Sequence, residues 1–350
     1  LTPEWEVFQD EWGSKQFVKK RWENKNPGHG QPHNSYPLAL TFTRSYRDFA
    51  LWYANEWLKR GVSLYFDNTN PKTVFDPLVS EAYERKGGKI QPACTIWEQR
   101  KYYRRIWNLM NYWKEKGTPY PLTFTQHMTN TYILPFETWN TADLDNEWRW
   151  FNYKTKKLAP FPWEVLLAEM TGRQTGSYGH ALYPVGGIAK SKYWKASKNI
   201  IRREWGMRIV HEILRWLYPY ESYASPEPAR RLEKRLYEFG YGTKYGKVYN
   251  YWADNPALSI SNRNIKWLVV ARKKDKKIFL VLQSWLKEPV EAFVTFNNHV
   301  LGFTPAQDIF DVETNRTAVR AGFVGKRLKI DIPVAYGTRV VTLGKVSFSP

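Results

Sequence analysis

The sequence predicts an α/β protein with a parallel sheet in its N-terminal part, followed by an antiparallel β-sandwich. Three observations carry this. An amphipathic helix pattern runs directly into a short apolar segment, and does so twice. Each apolar segment ends in a cluster of polar residues. Beyond Pro256 the hydrophobic period changes from that of helices to that of strands.

The first helix pattern is Tyr46, Phe49, Ala50, Tyr53 and Trp57, with Ser45 and Asp48 as a capping pair and Gly61 as the stop. Leu64-Tyr65-Phe66 then reads as a buried strand that delivers Asp67 into the loop Asn68-Thr69-Asn70-Pro71. In parallel α/β folds the loops after the C-terminal strand ends hold the chemistry, so Asp67 reads as catalytic or ligand-binding. The competing reading is an acid that only caps a turn. Thr95 and Glu98 form a Thr-x-x-Glu box opening a second helix that closes at Gly117. Its stripe of Tyr103, Ile106, Trp107, Met110 and Trp113 reads as core. Residues 120–128 form the next strand, with Gln126 and His127 gathered at its polar end.

The stretch from Thr131 to Trp148 is the second informative one. A short apolar run leads to Glu137, and Asp143, Asp145 and Glu147 follow between Trp139 and Trp148. Acids between tryptophans suit glycoside chemistry, in which one carboxyl protonates the leaving oxygen, a second acts as base or nucleophile, and rings hold the sugar. A helix N-terminus remains the alternative; a calcium loop is disfavoured because its glycine and full spacing are missing. Further on, residues 163–170 read as a short helix and 177–185 as a strand. A longer helix carries Ile201, Trp205, Ile209, Ile213 and Trp216, and another starts at Ser225-Pro226 and stops at Gly240. His211 and Glu212 read as surface or satisfied core, and His29 and His33 as part of a Gly/Pro loop, so no metal and no cofactor are expected.

Segments 265–272, 277–285, 290–296, 327–333 and 338–343 are short, alternating and separated by turns, the signature of a sandwich module. Two domains are therefore expected, 1–256 and 257–350. Arg272 to Lys277 reads as a solvated hairpin tip between two of these strands.

The net charge of +20 would attract polyanions, including acidic polysaccharides. It is spread, however: residues 257–350 hold 15 Lys and Arg against 7 Asp and Glu, and residues 1–256 hold 38 against 26. With no nucleic-acid motif of defined spacing, nucleic acid is disfavoured as a partner. The 18 Trp, 23 Tyr and 18 Phe exceed what a core needs and suit a groove in which flat faces stack on a ligand. Cys94 is the only cysteine, which excludes an intrachain disulfide and thiolate metal sites. No run approaches the about 20 apolar residues of a membrane helix.

Leu64 to Thr69, Leu134 to Trp148, Ala168 to Gly176 and the terminal Tyr336 to Val341 together resemble carbohydrate-active proteins similar to glycoside hydrolase family 123 from bacteria. The resemblance implies a (β/α)8 barrel, a C-terminal sandwich and a carbohydrate substrate, to which the positive charge adds acidic saccharides; the compartment stays open, with a secreted or periplasmic location preferred. That family uses an adjacent Asp-Glu pair; here Asn68 follows Asp67, so the pair itself is not carried over. The expected carboxylates are Asp67 and Glu137, with Asp143 in reserve. Tyr65, Asn68, His127, Trp139, Trp148 and Arg173 are the expected substrate contacts. The expected activity is glycosidic bond hydrolysis, and the alternative is a non-catalytic polysaccharide-binding or surface-assembly protein. Five or six strand candidates precede residue 252 where closure needs eight, so an N-terminal segment or partner chain is expected to complete the barrel.

Overall fold

The structure, a computed structural model, describes residues 3–19, 36–39, 43–67, 69, 71, 73–77, 80–127, 138–145, 151–152, 157–158, 162–170, 178–181, 198–215 and 228–349. They fall into two compact units, Leu1–Leu144 with Arg173–Tyr178, and Asp145–Gly172 with Gly179–Pro350.

In the first unit, α1 (Pro3–Trp12) is followed by an antiparallel pair, Gly13–Lys19 with Tyr36–Ala39. Then come α2 (Arg44–Lys59), β1 (Leu64–Phe66), α3 (Ile96–Glu115), β2 (Phe124–His127) and β3 (Ala142–Asp145). β1 lies parallel to β2 and β2 to β3, as the helix-then-strand order predicts. The core is built from Leu51, Ala54 and Leu58 of α2, Tyr103, Ile106 and Met110 of α3, and Phe124 of β2, with Leu64 and Phe66 packed against it.

The buried stripe of α2 differs from the aromatic one read in the sequence. Aliphatic Leu51, Ala54 and Leu58 turn inward against α3, while Tyr53 and Trp57 stay exposed. The capping expectations also change. Thr43 occupies the N-cap of α2 without a side-chain capping bond, and Ser45 instead bonds Glu11 and accepts from Trp12 Nε1 at 3.1 Å. Thr95 does hold the N-cap of α3, but the reciprocal box is absent, because Glu98 is drawn away by two cations, Arg47 and Lys101. Gly61 ends α2 as expected: its φ of +77° is a conformation that side chains disfavour, and its N–H reaches the Leu58 carbonyl at 2.9 Å.

The second unit contains α4 (Trp163–Met170), β4 (Tyr178–Ala181), α5 (Lys198–Ile209), β5 (Leu214–Arg215) and α6 (Ala229–Phe239), with β4 and β5 parallel. α5 stops well short of the residue 216 expected for it. The chain folds back through Glu212 at φ +56°, with Ile213 N–H on the Arg208 carbonyl, so Ile213 leaves the helix and is buried beyond its end. Ser225 and Pro226 lie outside the described residues.

Two antiparallel sheets follow, from β6 (Lys247–Asn250), β7 (Leu258–Ile260), β8 (Ile265–Arg272), β9 (Lys277–Ser284), β10 (Val290–Phe296), the one-turn α7 (Asn298–Leu301), β11 (Ile309–Asp311), β12 (Ala321–Val324), β13 (Arg327–Ile332) and β14 (Thr338–Leu343). Their strand orders are β6-β8-β9-β14-β11 and β7-β10-β13-β12. The five strands expected from alternation all form within a residue of their expected bounds. The short β6, β7, β11 and β12 lack the length to show a period, and the sequence reading passes over them.

Both faces of the five-stranded sheet are buried. Trp267, Val269, Leu280 and Leu282 face the second sheet through Val294, Leu328 and Ile330. Leu268, Val270, Phe279 and Val281 meet Trp205 and Ile209 of α5 and Leu232, Leu236 and Phe239 of α6. At about 1.5–3 kcal/mol for each large apolar side chain fully buried, these two cores supply most of the unit's cohesion.

α5 approaches the sheet closely at Gly206. The Thr338 hydroxyl there lies between the Arg202 carbonyl, at 2.7 Å, and Gln283 Oε1. An added Cβ would stand 2.3 Å from Gln283 Oε1 and 2.4 Å from Thr338 Oγ1. Glycine to alanine inside a helix ordinarily gains about 1 kcal/mol. Here overpacking reverses the sign, and Gly206→Ala is expected to lose about 1–3 kcal/mol, read as a lower urea midpoint. A variant more stable than the parent would contradict this close contact.

His211, fully buried just past α5, places Nδ1 2.7 Å from the Met207 carbonyl and Nε2 2.7 Å from the Tyr251 hydroxyl. A carbonyl only accepts, so Nδ1 carries the proton and Nε2 accepts from Tyr251. Burial, helped by the Lys266 charge, depresses the His211 pKa to about 4. The unfolded chain therefore takes up a proton between about pH 6.5 and pH 4 that the folded chain refuses. Stability linked to His211 is complete above pH 6.5 and is lost as pH falls toward 4, on the order of 3 kcal/mol. The stability difference between the parent and His211→Gln should shrink by that amount from pH 7 to pH 4 in denaturant titrations; a pH-independent difference would refute it.

Candidate active site

β1 and β2 lie side by side and parallel, so their C-terminal ends open on the same edge of the sheet. Side chains alternate along a strand, and registered neighbours in a parallel pair share a face. Tyr65, Asp67 and His127 are thereby brought together. Asp67 Oδ1 is 2.9 Å from His127 Nδ1, and the Tyr65 hydroxyl meets the same nitrogen. The His127 side chain is 5% exposed and that of Asp67 52%, so the imidazole is a buried support and the carboxylate faces outward.

The loop behind Asp67 is fastened rather than free. Thr69 donates to the His127 carbonyl twice, from its N–H at 2.9 Å and its hydroxyl at 3.0 Å. The Thr69 carbonyl in turn accepts from Gln99 Nε2 at 3.1 Å, and Thr95 Oγ1 donates to Gln99 Oε1 at 3.2 Å. The start of α3 thus holds the loop after β1 against the end of β2. Sequence reading treats Thr95 only as a cap and misses Thr69 and Gln99, because a bond spanning thirty or more residues leaves no local spacing signal.

Burial lowers the His127 pKa despite the opposing pull of Asp67. The ring is therefore neutral near pH 7. With its proton on Nδ1 it donates to Asp67, and with the proton on Nε2 it accepts from Tyr65. In the Nδ1-protonated tautomer the ring fixes one oxygen of the accessible Asp67 carboxylate, a group able to accept a proton or to stabilise positive charge developing on a sugar ring.

A groove of about 270 Å3 beside this cluster is edged by Tyr46, Phe49, Tyr53, Trp57, Tyr65 and Tyr102, flat rings of the kind that stack on a sugar face. Asp143 is registered with Gln126, lies with it on the sheet face opposite His127, and is buried. The structure therefore does not bring Asp143 to Asp67. Trp139 packs against the first core with the Arg100 guanidinium 5.3 Å over its ring. Asn68, Glu137, Trp148 and Arg173 lie outside the described residues. Among the described residues no group of three or more His, Cys, Asp or Glu could hold a metal ion, and no helix is long and apolar enough to cross a membrane.

No family model matches the sequence, and no curated protein matches it. Among solved structures the chain is similar to a GH27 β-L-arabinopyranosidase from Geobacillus stearothermophilus, at 10% identity and a TM-score of 0.50 over 92% of this chain and 68% of that one. It is also similar to a noncanonic maltogenic α-amylase from Thermotoga neapolitana, at 12% identity and a TM-score of 0.51 over 94% and 73%. These neighbours are (β/α)8 glycoside hydrolases, and at such identities the likeness concerns the fold.

If Thr69 holds the Asp67 loop in place, Thr69→Val removes the hydroxyl bond while keeping side-chain volume. The expected loss is about 1 kcal/mol of stability together with faster amide hydrogen exchange at residues 67–70. Unchanged exchange there would show that the clamp does not order the loop.

Proposed function

We propose that this chain is a glycoside hydrolase in which Asp67 is one of the two reacting carboxylates. The observation that carries the reading is the outward-facing Asp67 held by a buried, neutral His127 at the C-terminal ends of two adjacent parallel strands. Barrel enzymes keep their catalytic groups at those ends, and the likeness in fold to (β/α)8 glycosidases supports the same placement here. Glu137 is the proposed second carboxylate, with Tyr65 and the aromatic groove holding the sugar. In this reading residues 1–256 form the barrel-like module and 257–350 a β-sandwich, following the pattern of family 123. His127 is a positioning residue: protonated at Nδ1, it fixes one oxygen of Asp67 and leaves the rest of the carboxylate facing outward.

Asn68, which stands where that family carries an acid, favours a second reading as a non-catalytic polysaccharide-binding protein. A panel of glycans followed by product analysis separates the two. Released reducing ends support hydrolysis; binding without turnover supports the alternative. Asp67→Asn and Glu137→Gln should each reduce turnover by at least a hundredfold, in the range typical for loss of general acid–base catalysis, with the melting temperature nearly unchanged. Full activity in both variants would end the assignment.

A further inference from the structure

The second unit holds a cavity of about 540 Å3 lined by none of the residues of the Asp67 cluster. Its wall is supplied by α5, the first turn of α6, the loop after β11 and the start of β14. Four guanidiniums, those of Arg202, Arg231, Arg316 and Arg339, stand in this wall against two carboxylates, Asp311 and Glu313. Both acids are already engaged. Glu313 receives Arg202 in a two-pronged pair, Nε at 2.5 Å and Nη2 at 2.9 Å. Asp311 lies 3.4 Å from Arg339 Nη1, and its other oxygen accepts from the N–H groups of Glu313 and Thr314. The described lining therefore carries two positive charges in excess. Its other members are threonines, valines and prolines, with no aromatic ring among them.

We propose that this cavity is a second carbohydrate site, which recognises an oxyanion, carboxylate or sulfate, carried on a saccharide. Guanidinium forks match the paired oxygens of those groups, and a wall without rings cannot hold a neutral sugar or a base by stacking. The volume lies within the roughly 300–1,000 Å3 of small-molecule sites, and the chain's charge of +20 steers polyanions toward it. That the oxyanion rides on a saccharide rests on the glycosidase reading; recognition of the oxyanion rests on the lining alone.

Calorimetric titration of the full chain tests this with four probes: trigalacturonate, a sulfated oligosaccharide, a neutral trisaccharide and inorganic sulfate. One of the two anionic saccharides should bind at least tenfold more tightly than the neutral sugar and the free ion. Arg231 and Arg316 are exposed, so the double variant Arg231→Gln/Arg316→Gln should keep its melting temperature and lose at least tenfold in that affinity. Lys273→Gln/Lys274→Gln removes the same charge from the exposed tip between β8 and β9 and should bind as the parent does. Asp67→Asn should also bind the anionic saccharide as the parent does. Equal weakening in the two double variants would overturn the site in favour of general electrostatics. Neutral sugar or inorganic sulfate binding as tightly as the anionic saccharide would overturn the ligand class, and binding lost in Asp67→Asn would place it elsewhere. No reducing ends released from any glycan by the parent would end the glycosidase reading while leaving the pocket's affinities as measured.

Discussion

The second unit depends on one sheet that has no solvent face. β8, β9 and β14 send alternate side chains into two different cores, one closed by the four-stranded sheet and the other by α5 and α6. An antiparallel strand that is half wet reads as hydrophobic in alternation with polar. Here Leu268-Val269-Val270 and Phe279-Leu280-Val281 are apolar without a break, because each successive residue finds a core whichever way it points. One buried polar residue of this layer meets partners at both ends of its amide. Gln283 is wholly buried, yet its Nε2 donates to the carbonyls of Ser284 and Tyr336 and its Oε1 faces Thr338. The bare backbone of Gly206 lets α5 come down onto that pair, which makes a helix glycine here a packing requirement rather than a defect.

The first unit meets a different constraint. Its parallel strands β1 and β2 end in backbone that cannot continue the ladder, and the groups freed there need partners. Thr69 supplies them to the end of β2, and Gln99 extends the tie to α3. The same economy that satisfies the strand end also fixes the residue two positions earlier. Asp67 is thus presented at a sheet edge whose following loop is hydrogen-bonded to both β2 and α3. Burial then decides the charge of its partner: an imidazolium enclosed to this degree costs more in lost hydration than Asp67 returns, so His127 stays neutral.

What was legible in the sequence follows from how local each signal is. The stripe of α3 is visible because Tyr103, Ile106 and Met110 recur at helical spacing, and the acid at the end of β1 because a four-residue change from apolar to polar marks it. The same approach misassigns α2, whose many aromatics outweigh the thinner Leu51, Ala54, Leu58 stripe that is actually buried. Asp143 looks equivalent to Asp67 in sequence, an acid near a strand end among tryptophans, but a shift of one residue in register turns it to the other face. Periodicity within a strand cannot supply register between strands. The His211 turn was hidden likewise: Ile209 and Ile213 keep helical spacing across a chain reversal, and only the positive φ of Glu212 breaks it.

Charge shows the same limit from the other side. Along the chain the positive excess is diffuse, and a diffuse excess on a solvated surface is screened within a Debye length of about 8–10 Å. Folding changes that by collecting Arg202, Arg231, Arg316 and Arg339, separated by up to 137 positions, around one cavity. Asp311 and Glu313 answer two of the four charges and orient two of the guanidiniums, so the acids in this wall act as braces for the arginines as well as counterions. Grouped in this way, the charges act together on one ligand-sized space, which composition alone cannot show. The aromatic residues are likewise resolved only in three dimensions: Tyr65 and six other ring-bearing side chains edge one groove, whereas rings are absent from the lining of the arginine-lined cavity. Stacking chemistry and ion-pairing chemistry are therefore segregated into different places of one chain, a division that the totals of Trp, Tyr, Lys and Arg cannot express.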